Sequence, residues 1–127
     1  MIHNANNYLY SDAISFLEYL KKHNYNITIL TKGNSDFQRE KIFNAKLDKY
    51  YDKLIVTMRH KGLLLLNYSH SIFIDDNPRE IKSLLTRRPK KIICIRHINS
   101  KYHDIEVSDK VDCYSSLTEI INSKVLE

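Results

Sequence analysis

With 127 residues, 43% of them apolar, the chain can bury a sizeable core but is too short for two ordinary domains, so residues 1–127 are expected to form one. Two Gly and two Pro exclude a collagen-like, disordered or loop-dominated chain. The net charge of +5 selects no partner class by itself, and two cysteines, Cys94 and Cys113, with no CxxC exclude a disulfide-stapled scaffold.

Helical and strand patterns then alternate along the chain. Ser11 can cap a first helix whose Ala13, Phe16, Leu17 and Leu20 share one face. NITIL (26–30) reads as a buried strand and TKGNS (31–35) as a turn. Ser35 opens a second helix with capping-box spacing to Gln38, and DKLIVT (52–57) is the next strand. A short helix is expected over 62–67, although LLLL alone does not separate helix from strand. SIFID (71–75) is a strand, Asn77-Pro78 starts a helix reaching Thr86, and KKIICIR (90–96) is a further strand. After an irregular stretch, Ser116 and Glu119 form a second capping box and open a last helix reaching Lys124. No repeat, linker or low-complexity tract interrupts this order.

Strands alternating with helices predict an α/β fold with a parallel sheet covered on both faces. Such sheets bind ligands beyond the carboxyl ends of their strands. That rule selects residues. Thr31 follows ITIL, Lys61 lies in the loop after LIVT, and Asp75 and Asp76 close SIFI, so all are expected on one sheet edge.

Two adjacent carboxylates repel each other, and a divalent cation removes that repulsion. Mg²⁺ prefers hard oxygen ligands and keeps several waters, so one or two carboxylates suffice. Thr31 and the turn amides around Lys32, Gly33 and Asn34, at a helix N-terminus, can donate to phosphate oxygens. Lys61 can add a compact positive charge to the same group. Together these groups would stabilise charge in phosphoryl transfer. Each also has a plain structural reading. Asp76 and Asn77 can cap the helix at Pro78, Thr31 can simply end a strand, and Lys61 can be a surface lysine, with Lys53 and Arg59 as alternatives for its role.

The ordered segments YSDAISFLEYLKKHNYNITILTKGN, FQREKIF, LDKYYDKLIVT and SIFIDDNPREI resemble the haloacid dehalogenase-like (HAD) phosphohydrolase superfamily. The resemblance covers roughly 10–96. It implies a three-layer Rossmann-like core and four short motifs. The second, an apolar strand ending in Thr or Ser, is matched by ITILTKGN with Thr31. The third, a lysine, is matched by Lys61 in MRHKGLLLL, and the fourth, an apolar strand ending in acidic residues, by SIFIDDNP. The family's roles then fall on Thr31 and Lys61 for phosphate, with Lys61 as the catalytic lysine, and on Asp75 and Asp76 for Mg²⁺.

The first motif, Asp-x-Asp after an apolar strand, has no match. Before Thr31 the only Asp is Asp12, in LYSDAISF, which reads as a helix start. The chain therefore begins at a helix where the family begins with a strand. Either an N-terminal part exists elsewhere, or the chain is a shortened relative whose gap is filled by NNYLY or a partner chain. Without a carboxylate nucleophile, covalent phosphoryl transfer has no acceptor. The expectation is a Mg²⁺-dependent phosphatase-type hydrolase in truncated or inactive form, without a cap, acting on a small phosphorylated substrate.

The alternative is a non-catalytic Rossmann-like module that binds a partner, a phosphorylated ligand or nucleic acid through TRRPKK. That run lacks interleaved aromatics and reads as a solvated helix end and loop, so nucleic acid is not the expected partner. An unfilled central sheet position favours a homo-oligomer. The His residues show no HExxH or paired zinc spacing, and His97 and His103 near Asp104 and Asp109 read as solvated loop residues. GxSxG, Walker and GxGxxG motifs are absent. No run of about eighteen apolar residues reads as a membrane span, and MIHNANNYLYSD lacks the charged-then-apolar order of a signal peptide, so a cytoplasmic location is expected.

Overall fold

Helix α1 spans Ala13–Lys22 and buries Ala13 and Phe16, as its apolar spacing predicts. It opens a computed structural model that describes residues 12–44, 49–96 and 106–127. Ser11, the NNYLY stretch, His97, His103 and Asp104 lie outside the described residues. The chain forms two compact units: the described residues up to Met58 together with Ile121–Glu127, and Arg59–Ile120.

In the first unit α1 is followed by β1 (Thr28–Lys32), α2 (Ser35–Asn44) and β2 (Lys53–Thr57). β1 and β2 pair in parallel, with Thr31 opposite Val56 and Lys32 opposite Thr57. The parallel pairing follows from the α2 crossover between them. Ile14 and Leu17 of α1, Ile29 of β1, Leu54 of β2, and Tyr50 and Tyr51 pack onto one apolar cluster. Two tyrosines tie down the C-terminal residues: the Tyr19 hydroxyl donates to Glu127 Oε2 at 2.8 Å, and the Tyr25 hydroxyl donates to the Leu126 carbonyl. Asp52 starts β2 by accepting the Ile27 amide at 2.7 Å and the Lys21 ammonium at 2.9 Å.

In the second unit β3 (Ile72–Asp75), α3 (Pro78–Leu85), β4 (Lys91–Ile95) and β5 (Asp112–Tyr114) give a parallel three-stranded sheet in the order β3-β4-β5. The central strand β4 buries Ile92, Ile93, Cys94 and Ile95 in succession. Burial on both faces explains why KIICI is continuously apolar rather than alternating. Tyr68, Ile81, Leu84, Ile92, Cys94 and Val111 form the core, with Leu66, Phe73, Leu85 and Val107 against it. Each fully buried aliphatic side chain there contributes roughly 1.5–3 kcal/mol of transfer free energy. The last helix, α4, spans Leu117–Ser123.

The molecule is thus α/β, and every strand pairing among the described residues is parallel. Among the described residues these strands form a two-stranded and a three-stranded sheet. Among the described residues β1 pairs only with β2, and β3 only with β4.

Local expectations are corrected at four places. The helix expected over 62–67 is instead two 3₁₀ turns, Lys61–Leu63 and Tyr68–His70. The Tyr68 hydroxyl reaches the carbonyls of Lys61 and Leu64 at 2.6 and 2.8 Å and so competes for acceptors that an α-helix needs. The N-terminus of α2 is capped one residue early, because the Asn34 side chain accepts the Phe37 amide at 3.1 Å. Gln38 then falls beyond the capping-box position and bonds Thr31 instead. At α4, Ser116 Oγ does accept the Glu119 amide at 3.0 Å, but the Glu119 carboxylate returns to Ser115, whose amide donates to it at 2.9 Å. Finally, β5 has no sequence signature, being a three-residue strand that exists through its pairing with β4.

Candidate functional site

β3 ends at Asp75 because the next residues are committed to starting α3. The Asn77 side chain caps that helix by accepting the Arg79 amide at 3.0 Å, and Pro78 supplies a first position that needs no amide. Asp75 is therefore carried at the carboxyl end of the strand. Its Oδ1 accepts the Asn77 amide at 3.0 Å, and its Oδ2 lies 2.5 Å from the Lys61 ammonium. The side chains of Asp75 and Lys61 are only 7% and 14% exposed, so this ion pair is shielded from solvent. Asp76 is half-buried beside it.

Lys61 reaches Asp75 from a loop whose backbone is held by α3 and its end. The buried Glu80 carboxylate, 2% exposed, accepts the Lys61 amide at 2.8 Å and lies 2.7 Å from His60 Nδ1. Ser83 Oγ accepts the Gly62 amide at 2.9 Å, and Arg87 Nε donates to the Gly62 carbonyl at 2.5 Å. Arg87 also lies over the Tyr68 ring, 5.3 Å from its centroid. Glu80 and Ser83 share one face of α3 by their i, i+3 spacing, and Arg87, two residues past the end of the helix, joins them in holding residues 60–62. Gly62 has no side chain to obstruct this grip: a Cβ there would lie 2.2 Å from the Ser83 carbonyl oxygen. Sequence reasoning missed Glu80, His60, Ser83 and Arg87. One signal was present: Glu80 stands one position before Ile81 and four before Leu84, on the apolar side of its helix, where an ionisable residue needs a buried partner.

Across the sheet, Asp75 is in register with Cys94, and Cys94 with Cys113. Burial pushes the Cys94 thiol up to about 12, with a further push from the neighbouring Cys113.

The other group of expected residues belongs to the first unit. Thr31, near the carboxyl end of β1, donates its hydroxyl to Gln38 Oε1 at 2.9 Å. Gln38 is buried on α2 and was read from sequence only as a capping-box residue, not as a partner of Thr31. Lys32 ends β1 with an exposed side chain. Gly33 takes φ +148°, a region L side chains rarely adopt, and a Cβ there would lie 2.5 Å from Gln38 Nε2. Its amide donates to the Thr57 carbonyl at 2.8 Å, and Asn34 caps α2. Within this unit Thr31, Gly33, Asn34 and Gln38 thus form one connected turn at the start of a helix. Within the other, Lys61 and Asp75 meet directly.

Among the described residues no group of three or more His, Cys, Asp or Glu side chains is arranged to hold a metal ion. The acidic doublet alone offers two hard carboxylates, within what Mg²⁺ accepts when water and phosphate complete its shell. A carboxylate has about four lone-pair sites, so Asp75 retains acceptor capacity beyond its bonds to Lys61 and Asn77. Among the described residues, no helix is long and apolar enough to cross a membrane. Compared with known proteins, the chain matches no family model and no curated protein.

Proposed function

We propose that this chain is a HAD-like phosphohydrolase core that binds a small phosphorylated ligand with Mg²⁺ and, having no Asp-x-Asp motif, does not turn it over by the covalent route. The observation that carries this reading is the shielded Lys61–Asp75 pair at the carboxyl end of β3. It joins a lysine and an acidic strand end that the resemblance assigns to the third and fourth motifs. Asp75 and Asp76 would hold the metal, which when bound neutralises charge on phosphoryl oxygens. Lys61 would add its ammonium to the phosphate. In the first unit, the turn of Thr31, Lys32, Gly33 and Asn34 is the one that the resemblance assigns to phosphate oxygens. The fold in this reading is a three-layer Rossmann-like sheet without its first strand.

The test is an amide NMR titration with inorganic phosphate in the presence of Mg²⁺. Binding of the proposed kind requires residues 61, 62 and 75–77 to respond to phosphate only when Mg²⁺ is present. No response there, or one that is the same without Mg²⁺, refutes it. Rapid hydrolysis of p-nitrophenyl phosphate by these 127 residues would instead refute the missing nucleophile.

One observation favours a second reading, a non-catalytic interaction module. Leu63 and Leu65 are 54% and 100% exposed in the segment before β3, an unusual position for two leucines so close in sequence. Retention of a protein partner by the wild-type chain and its loss in Leu65→Ser, with no effect of Mg²⁺ or phosphate, would select this alternative.

A further inference from the structure

We propose that Cys94 and Cys113 form a reversible thiol–disulfide site that reacts with low-molecular-weight disulfides of the glutathione class. The two residues are direct register partners on the parallel strands β4 and β5. Neighbouring strands lie about 4.7–4.9 Å apart, inside the 4.4–6.8 Å Cα window of a disulfide. Register partners also project from the same face of the sheet.

The two thiols differ in access. Cys94 is 2% exposed, whereas Cys113 lies open to solvent. Cys113 therefore reacts first. Its thiolate attacks the external disulfide, forming a mixed disulfide at Cys113 and releasing one small thiolate. The Cys94 thiolate then attacks Cys113 Sγ, releasing the second small thiolate and closing the Cys94–Cys113 bond. Two protein thiols lose two electrons and two protons in all, and one external disulfide becomes two thiols. Cys94 is the less accessible of the two, so closure follows the attack at Cys113 and the mixed disulfide precedes it.

The closed bond is expected to be labile. In aligned parallel strands the Cβ atoms are about as far apart as the strands, whereas a relaxed disulfide holds them about 3.5–4.5 Å apart. A strained disulfide is readily reduced, which suits a reversible site rather than a permanent staple.

The experiment treats the reduced, folded chain with oxidised glutathione, alkylates remaining thiols at intervals, and follows intact mass and proteolytic peptides. The expected course is a transient glutathione adduct on Cys113, then a monomer lighter by two hydrogen atoms, with the Cys94 and Cys113 peptides joined. Dithiothreitol should restore both thiols. Cys113→Ser should show neither adduct nor cross-link, and Cys94→Ala should stop at the adduct. If Cys94→Ala does not fold, the wild-type time course and the exposed-site variant decide alone. An adduct that persists on Cys113 beside a free Cys94 overturns the proposal. So does a disulfide-linked dimer as the product, or no reaction at all.

Discussion

Replacing Lys61 by Met removes the ammonium from a carboxylate that is only 7% exposed while leaving a side chain of similar length. Breaking one side of a buried pair leaves an uncompensated charge, at about 3–5 kcal/mol. The Asn77 amide still donates to Asp75, so the expected loss lies near the lower end, about 3 kcal/mol. Asp75→Asn should cost a similar amount by stranding the ammonium. In the double variant neither charge remains, so its loss should fall short of the sum of the two single losses by about 2 kcal/mol.

Urea denaturation followed by circular dichroism and tyrosine fluorescence measures all four proteins. With a urea dependence of about 1.5 kcal/mol per molar, each single variant shifts the midpoint by about 2 M, provided the slope is unchanged. A coupling below about 0.5 kcal/mol, the range of solvent-exposed pairs, would refute the shielded contact between Lys61 and Asp75.

Glu80→Ala removes the acceptor for the Lys61 amide and should cost about 1–3 kcal/mol, whereas Glu80→Gln keeps an amide oxygen there and should cost less. Equal losses in urea melts would contradict the hydrogen-bonding role. Gly62→Ala places a methyl group 2.2 Å from the Ser83 carbonyl oxygen and should lower stability by about 1–3 kcal/mol. An unchanged melting temperature would mean that the loop does not rest on α3. The Ile27 amide, and secondarily Lys21, hold the Asp52 carboxyl below its ordinary value of 3.8. A depressed carboxylate stabilises the folded state above its unfolded pKa, and that contribution fades as pH falls through the lower folded value. Wild-type stability should therefore decline more steeply below about pH 4 than that of Asp52→Asn. Parallel acid limbs would show that the interaction carries no pH-dependent stability.

The element pattern was readable because it rests on local spacing. Ala13 and Phe16 of α1 fall on one helical face, Asn77-Pro78 stops β3 and caps α3, and the unbroken apolar run of KIICI marks a strand buried on both sides. Failures came where a side-chain or cross-strand contact decided a local conformation. Tyr68 captures the carbonyls that a helix over 62–67 would use, and β5 is a strand only because β4 lies beside it. The candidate site divides in the same way. Asp75 at a strand end was legible from SIFIDDNP, as was Thr31 from ITILTKGN. Glu80, which fixes the backbone beneath Lys61, was not legible as a partner, nor was Gln38 beneath Thr31.

By itself, the sequence determined the four helices, the strands β1 to β4 and which polar residues stand at strand ends, because hydrophobic period and capping chemistry act over a few residues. Only the tertiary structure decided that Lys61 reaches Asp75, that Glu80, Ser83 and Arg87 grip one loop, and that Cys94 lies beside Cys113. Those contacts join residues far apart in the chain, where no local propensity specifies the pairing and strand register and core packing select it.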